Sequence, residues 1–471
     1  MKNKTKIIAT IGPSSESAEM LDKLYDAGVN IIRLNFSHGD YREHEGKIDR
    51  WNEIISHSET SGAVMADLAG PEIRTGEISE AITFAAGDSL NLTPGEEVGD
   101  KDTLYINYEQ LATDVSDGTT ILIDDGKVVL EVTSTDGDTV ATTVTQPGTI
   151  TSGGRGVNVP GIALSLPSLT DKDLEDLKFS LKKQVDFVAI SFVKNADDIH
   201  QLREEITSQG AEGTKIVAKI ETQAAVDNID EIIEATDCIM VARGDLAVEV
   251  SLENVPIIQK QIIQKCNTAG VPVITATQML ESMTSASTPT RAEASDVANA
   301  ILDGSDAIML SGETAMGEYP VETVEVMSRI AAKMETQRDT INHIEINKAQ
   351  SKPVNALTAS VVRVADDVGA KAIVALTDSG FTARMISRYR PVQDILAFSS
   401  YERTCRQLSI NYGCQPRFLK EAGETEPAIK AVKELLLTQL GFESGDKIVV
   451  AAGVTATKER VGTNALLIVE L

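Results

Sequence analysis

Short apolar runs ending in polar or charged residues recur eight times in the first two-thirds of the chain: Lys6–Thr10, Asn30–Ser37, Ala63–Asp67, Phe187–Val193, Lys215–Glu221, Cys238–Arg243, Pro272–Thr277 and Ala307–Ser311. Most are separated by stretches with helical apolar spacing, such as Ser17–Asp26 and Asn228–Ala235. Strand-then-helix alternation predicts a parallel sheet. Eight such units close a (β/α)8 barrel, whose chemistry gathers at the C-terminal strand ends. The residues closing these runs then converge on one mouth: Arg33, Asn35, Ser37, Asp67, Lys219, Glu221, Asp245, Thr277, Ser311 and Glu313.

The spacing breaks once. The third run ends at Asp67 and the fourth begins near Asp186, a gap too long for one helix. Its first part, Ile73 to Val159, is rich in Thr, Gly and Val, with turn signals at Asp124–Gly126, Asp136–Asp138 and Pro147–Gly148. Segments such as Thr119–Ile123, Val128–Thr133 and Thr139–Thr145 alternate or run β-branched, which predicts strands. We read an all-β insert, a small β-barrel placed as a lid over the catalytic rim, spanning 71–161. A decorative insertion is the competing reading. The displaced helix is expected at Asp171–Lys183 behind a Thr170 cap. The barrel would then comprise 1–70 and 162–341. The polar segment Thr336–Pro353 reads as a linker or exposed helix. Beyond it, Ala372–Thr377, Asp394–Phe398, Arg417–Lys420, Lys447–Ala451 and Leu466–Glu470 read as strands, with helices such as Ala428–Leu440 between them. They predict a C-terminal α/β open-sheet domain over 342–471.

Composition narrows the function. With 471 residues, 42% of them hydrophobic, the chain can bury several cores. The net charge of −28 excludes nucleic acid or an anionic membrane as the main partner, since either needs a basic footprint. Small anionic substrates stay open, because a few cations suffice for a local positive site. No run has the length of a membrane span or the form of a secretory leader. The four cysteines, Cys238, Cys266, Cys405 and Cys414, have no metal-ligand spacing and read as reduced, packed thiols of a cytoplasmic protein.

Strand ends five and six carry the densest chemistry. The period of two puts Lys219 and Glu221 on one face, opposite Ala218 and Ile220. Glu221 and Asp245, from adjacent strand ends, form a seat for a hard divalent cation that keeps positions open for substrate oxygens. Lys219 beside it supplies a point charge suited to a transferring phosphoryl group. An internal Lys–Glu salt bridge is the plain alternative, disfavoured because the apolar flanks would bury the charges at high cost. Gly244 lets a ligand approach the backbone closely, and amides at such a turn can hold a carboxylate. Arg33, Asn35 and Ser37 alternate onto one side of strand two. Arg33 can fork onto phosphate oxygens, while Asn35, Ser37 and Asp67 offer oxygens suited to a large monovalent cation.

Taken together, RLNFSHG (Arg33–Gly39), DLAGPEIRTG (Asp67–Gly76), AKIE (Ala218–Glu221), VARGDL (Val241–Leu246), ATQMLESM (Ala276–Met283), PTRAEASDVANAILDG (Pro289–Gly304) and IMLSGETAMGEYP (Ile308–Pro320) resemble the pyruvate kinase family. The resemblance runs nearly the whole chain. It implies phosphoryl transfer from phosphoenolpyruvate to ADP, giving pyruvate and ATP in the final step of glycolysis, by a cytoplasmic homotetramer dependent on Mg2+ (or Mn2+) and K+. It implies that Lys219 neutralises the moving phosphoryl, that Glu221 and Asp245 hold Mg2+, and that Arg33 grips the phosphate. Gly244, Asp245 and Thr277 would hold the substrate carboxylate, and Thr277 with Ser311 and water would protonate the enolate. Asn35, Ser37, Asp67 and the carbonyl of Leu68 match the K+ ligands, and Arg74 the nucleotide-binding arginine.

The chain also departs from the family pattern. Leu68–Ala69 replaces the usual pair after the aspartate, a change that a main-chain ligand tolerates. Glu72 matches K+-dependent members. Arg155 stands where a nucleotide-binding lysine is usual, keeping the charge with a different geometry. Ala247 replaces a glycine. Thr377–Arg384 matches the family's allosteric phosphate site, with Phe381 at the usual arginine. That implies an effector other than fructose bisphosphate, such as a nucleotide or sugar monophosphate; an ordinary capped helix start is the alternative. A metal-dependent barrel lyase would share Glu221 and Asp245 but need neither lid nor ADP. A silent metabolite-sensing paralogue would not need Arg33, Lys219 and Thr277 intact.

Overall fold

The computed structural model describes residues 3–58, 60–162, 164–337, 352–423, 425–453 and 463–471. Eight parallel strands, Lys6–Thr10, Ile31–Asn35, Ala63–Asp67, Phe187–Ile190, Lys215–Ile220, Cys238–Ala242, Val273–Ala276 and Ala307–Leu310, close into a barrel, the eighth pairing back onto the first. The strands read as continuous apolar runs because both faces are covered. Alternation still sorts them. Ile8, Ile31, Met65, Phe187, Val217, Met240, Ile274 and Met309 fill the interior. Ile7, Ile32, Val64, Val188, Ile216, Ile239, Val273 and Ile308 point outward beneath the helices. The helix expected at Asp171–Lys183 spans Asp171–Lys182, its Thr170 cap reinforced by a capping box with Asp173.

A fourfold device closes the barrel floor. The residue preceding each even strand accepts a main-chain amide from the odd strand before it: Asn30 from Ile7 at 2.9 Å, Asp186 from Val64 at 3.1 Å, Asp237 from Ile216 at 3.0 Å and Asp306 from Val273 at 3.1 Å. Each side chain satisfies a buried backbone donor. The three aspartates then draw cations. Arg203 and Lys215 meet Asp237, while Arg406 and Arg390 of the C-terminal unit meet Asp186 and Asp306. Arg390 is bidentate on Asp306 at 2.9 and 3.0 Å, and Ile410 packs into the floor of the interior core. The C-terminal unit thus docks at the floor, leaving the other end of the barrel for chemistry.

The insert leaves after strand three. A six-stranded and a two-stranded sheet enclose their own core, which includes Leu90, Leu92, Ile121, Leu130 and Val140. The expected strands appear as Thr120–Ile123, Val128–Asp136 and Thr139–Gln146, the first two joined by a turn in which Asp124, Asp125 and Gly126 all have positive φ. The C-terminal sheet has five strands, ordered Cys414–Phe418, Asp394–Ser399, Ala372–Leu376, Lys447–Ala452, Ala465–Glu470, with only the last antiparallel. Its third strand in chain order starts before the expected Arg417–Lys420. Cys414 to Phe418 pair with Ile395 to Ser399 despite Pro416, because tertiary pairing overrides the local breaker. Most of the expected linker, 338–351, lies outside the described residues.

Candidate active site

Arg33 and Asp67 come from adjacent strands, Asp67 lying level with Asn35, and the Arg33 Nε donates to Asp67 Oδ2 at 2.6 Å. Arg33 Nη1 also donates to Thr10 Oγ1 at 3.0 Å. Across the mouth, Lys219 Nζ lies 3.4 Å from Asp67 Oδ1 and 2.9 Å from Glu221 Oε1, and donates to Ser191 Oγ at 2.7 Å. Asp67 therefore bridges the guanidinium and the ammonium. Glu221 Oε2 accepts the Phe192 amide at 2.7 Å. Asp67 and Glu221 are almost wholly buried, and the two cations nearly so.

This crowding sets the charge states. Burial alone would raise Asp67, but Lys219 and Arg33 overcome it and hold its carboxyl below the usual range. Burial would likewise lower Lys219, yet Asp67 and Glu221 keep its ammonium above the ordinary lysine value. Glu221 is pushed up to about 7 by burial, with Lys219 opposing and Asp245 adding to the rise. Glu221 and Asp245 thus form a pair short of positive charge, which is what a divalent cation relieves. Among the described residues no third His, Cys, Asp or Glu joins them in a metal-ligating group. A hard divalent cation at this pair would take its other ligands from substrate and water.

Gly244 opens the helix Arg243–Glu249 directly after strand six. A Cβ there would make ordinary contact with Thr277, its Oγ1 at 3.5 Å, so the protein does not itself require the glycine. The bare backbone leaves room above the Gly244 amide, which donates to Thr277 Oγ1 at 2.7 Å. Thr277 and Gln278 are held at φ 66° and 52°, a costly conformation for these residues. Arg243 holds it, donating to the Thr277 carbonyl at 2.7 Å and the Gln278 carbonyl at 3.3 Å, and is itself anchored by Asp296 at 2.8 Å. Ser311 Oγ is buried with no hydrogen-bond partner among the described residues.

Glu313 is the exception among the expected mouth residues. It is fully buried, and its oxygens take the amides of Ser311 at 2.7 Å and Leu280 at 3.1 Å, so it shapes the loops and does not face substrate. The oxygens expected for a monovalent ion occupy neighbouring strand ends. Asn35 Oδ1 accepts the Ser37 amide at 3.1 Å, the Leu68 carbonyl accepts the Ser191 hydroxyl at 2.8 Å, and Asp67 Oδ1 has no hydrogen bond among the described residues. That anionic oxygen, met only by the Lys219 ammonium at 3.4 Å among the described residues and set beside neutral oxygens, fits a large cation. From the lid, Arg74 donates to Glu72 Oε2 at 2.6 Å and to the Gly154 carbonyl at 2.8 Å. Arg155 is tied to Thr151 at 3.2 Å and lies 3.6 Å from Asp124. Both arginines line a cleft of about 600 Å3 that reaches Asp245. In the C-terminal unit, the helix Phe381–Ser387 starts at Gly380, φ 81°, without a side-chain cap.

Sequence reasoning missed Ser191, Thr10 and Arg243. Ser191 and Thr10 close or follow apolar runs, so the signal that marked the other mouth residues also marked them. Arg243 closes the sixth run, but its grip on the strained Thr277 backbone needs the fold.

The family model described as pyruvate kinase, barrel domain, matches residues 2–324, and that of the pyruvate kinase alpha/beta domain matches 355–469. The chain is 46% identical over 459 residues to a pyruvate kinase of Bacillus licheniformis, covering 96% of this chain and 78% of that one. To a Staphylococcus epidermidis pyruvate kinase it is 44% identical over 471 residues, covering 99% and 80%. The crystal structure of a pyruvate kinase from Cryptosporidium parvum superposes with a TM-score of 0.91 at 38% identity, covering 99% of this chain and 96% of that one. The barrel and alpha/beta domain matches, together with relatives 44 to 46% identical over nearly the whole length, place the chain in the pyruvate kinase family.

Proposed function

We propose that the mouth residues divide the transfer of a phosphoryl group from phosphoenolpyruvate to ADP among themselves. The observation that carries this is the joined cluster of Arg33, Asp67, Lys219 and Glu221, with Asp245 close enough to perturb both Lys219 and Glu221. Arg33 grips the substrate phosphate, and Lys219 offsets the charge of the phosphoryl group as it moves. Glu221 and Asp245 would hold Mg2+ or Mn2+, which would supply positive charge to offset that of the phosphoryl oxygens. The Gly244 and Asp245 amides with Thr277 take the substrate carboxylate, which displaces the Gly244–Thr277 hydrogen bond seen here. The Thr277 hydroxyl, which here donates to the Ala276 carbonyl at 2.6 Å, exchanges that bond for the enolate carbon and, with Ser311 and water, delivers the proton that turns enolate into pyruvate. Asn35, Ser37, Asp67 and the Leu68 carbonyl hold K+ beside Arg33. Arg74 and Arg155 bring ADP down from the lid.

The boundaries 1–70 with 162–341, 71–161 and 342–471, a cytoplasmic homotetramer, and a phosphorylated effector at Thr377–Arg384 belong to the same reading. A coupled assay for pyruvate, with ADP, Mg2+ and K+ omitted in turn, tests it. Turnover requiring all three is expected. Pyruvate release without ADP would instead favour the lyase chemistry that the same carboxylates could serve.

A further inference from the structure

Strand four supplies no ligand in the reading above, yet its C-terminal end grips both sides of the mouth. Ser191 and Phe192 follow directly on Phe187–Ile190. The Phe192 amide donates to Glu221 Oε2 at 2.7 Å, and Phe192 holds φ 53°, a left-handed conformation that is costly for a residue with a side chain. Ser191 is buried, and its hydroxyl makes two hydrogen bonds of opposite sense. It donates to the Leu68 carbonyl at 2.8 Å and accepts from Lys219 Nζ at 2.7 Å. The sense is fixed, because an ammonium only donates and a carbonyl only accepts. A Cβ on Gly70 would lie 2.8 Å from Ser191 Cβ and 3.1 Å from Phe192 Cδ2, so the segment after strand three packs closely on this end.

Three oxygens surround Lys219 Nζ: Ser191 Oγ at 2.7 Å, Glu221 Oε1 at 2.9 Å and Asp67 Oδ1 at 3.4 Å. The nearest is neutral and the farthest is anionic. Charge alone would draw the ammonium onto Asp67 Oδ1, the oxygen assigned above to the monovalent cation. We propose that Ser191 is the spacer that keeps Lys219 off the K+ oxygen. With its own proton committed to Leu68, the hydroxyl turns a lone pair to Nζ and holds the ammonium on the strand-four side. Asp67 is then divided between Arg33 on Oδ2 and K+ on Oδ1. This rests on reading Asn35, Ser37, Asp67 and Leu68 as the K+ ligands. Ser191 is a positioning residue, acting through Lys219.

Removing the hydroxyl has two consequences. The Leu68 carbonyl has a second lone pair for K+, so losing one donor changes little there. Lys219 loses its nearest acceptor and closes on Asp67 Oδ1. A unit charge moving from 3.4 Å to about 2.8 Å, at an effective dielectric of about 20, shifts an equilibrium constant about fivefold against the competing K+.

The test follows the K+ midpoint in two ways on the full chain, for the wild type, Ser191→Ala, Ser191→Cys and Ser191→Thr. One is activity titrated with K+. The other is melting temperature titrated with K+ in phosphoenolpyruvate and Mg2+ without ADP, tetramethylammonium chloride holding the ionic strength. Ser191→Ala is expected to raise the K+ midpoint about three- to tenfold in both. Its Mg2+ midpoint should stay or fall, because Lys219 moves away from Glu221. Ser191→Cys keeps the side-chain volume with a poor acceptor and should behave as Ser191→Ala does; it carries the same test if Ser191→Ala does not fold. Ser191→Thr keeps the hydroxyl and should lie near the wild type. The spacer is overturned if the K+ midpoint stays unchanged, if the Mg2+ midpoint rises equally, or if Ser191→Thr behaves as Ser191→Ala does. Wild-type values in Ser191→Cys would overturn it too, making Ser191 a packing residue. If the wild type shows no K+ response in either titration, the K+ reading falls and the spacer with it. If the wild type responds and Ser191→Ala matches it, the spacer alone falls.

Discussion

Lys219→Met removes one charge and keeps a side chain of similar length, so its consequences follow from the contacts around Nζ. Unit charges about 4 Å apart, at an effective dielectric of about 20, interact by about 4 kcal/mol. Taking that as the stabilisation Lys219 offers a phosphoryl group in flight, kcat should fall by about 10³-fold. A fall of that size matches the loss of one preorganised donor elsewhere. Mg2+ affinity should move the other way or not at all. An ammonium 2.9 Å from Glu221 Oε1 repels a cation placed on that carboxylate, so its removal leaves the seat more negative. The fold should survive, since Asp67 keeps Arg33 at 2.6 Å and Glu221, already raised to about 7, can take a proton. The assay is kcat under saturating substrates beside calorimetric titration of Mg2+, with circular dichroism as the folding check. A folded variant retaining more than about a tenth of wild-type kcat would refute the role, because one lost charge at this distance predicts far more.

Three further outcomes follow from other contacts. Glu72→Lys places a fixed cation near the K+ oxygens and should weaken the K+ requirement, read by titrating activity with K+; because Glu72 also holds Arg74, KM for ADP should rise. Arg390→Ala leaves Asp306 buried without its bidentate partner and should lower stability by about 3–5 kcal/mol in urea denaturation, with little change in the activity of the folded fraction. Finally, burial raises all four thiols, Cys405 to about 11 and Cys414 to about 12, so a thiol reagent at neutral pH should label them only on unfolding.

Much of the mouth was legible because a strand's period of two is rigid. Once Lys215–Ile220 is a barrel strand, Lys219 must point inward while Ala218 and Ile220 point to the helices, and Glu221 follows on the inner face. The same rule put Arg33, Asn35 and Ser37 together on the inner side of strand two. It misplaced Glu313, which lies beyond its strand in the short helix Gly312–Ala315, whose path strand periodicity does not govern. It also left Arg243 without a role, since a side chain that restrains a distant backbone has no local signature. The strand at Cys414–Phe418 slipped for a related reason: Pro416 discourages strand locally, and only the neighbouring Ile395–Ser399 overrules it.

By itself, then, the amino-acid order determined the eight alternating units, the interruption after the third, and which residues stand at the strand ends, all consequences of local periodicity and turn chemistry. Tertiary structure decided what those residues do to one another. Asp67 became the bridge between Arg33 and Lys219, Glu221 rose towards neutrality beside Asp245, and Thr277 was bent into a left-handed turn under Arg243. The floor aspartates were turned into docking points for Arg390 and Arg406 in the same way. Charge interactions and desolvation depend on distance and burial, and neither exists until the barrel closes.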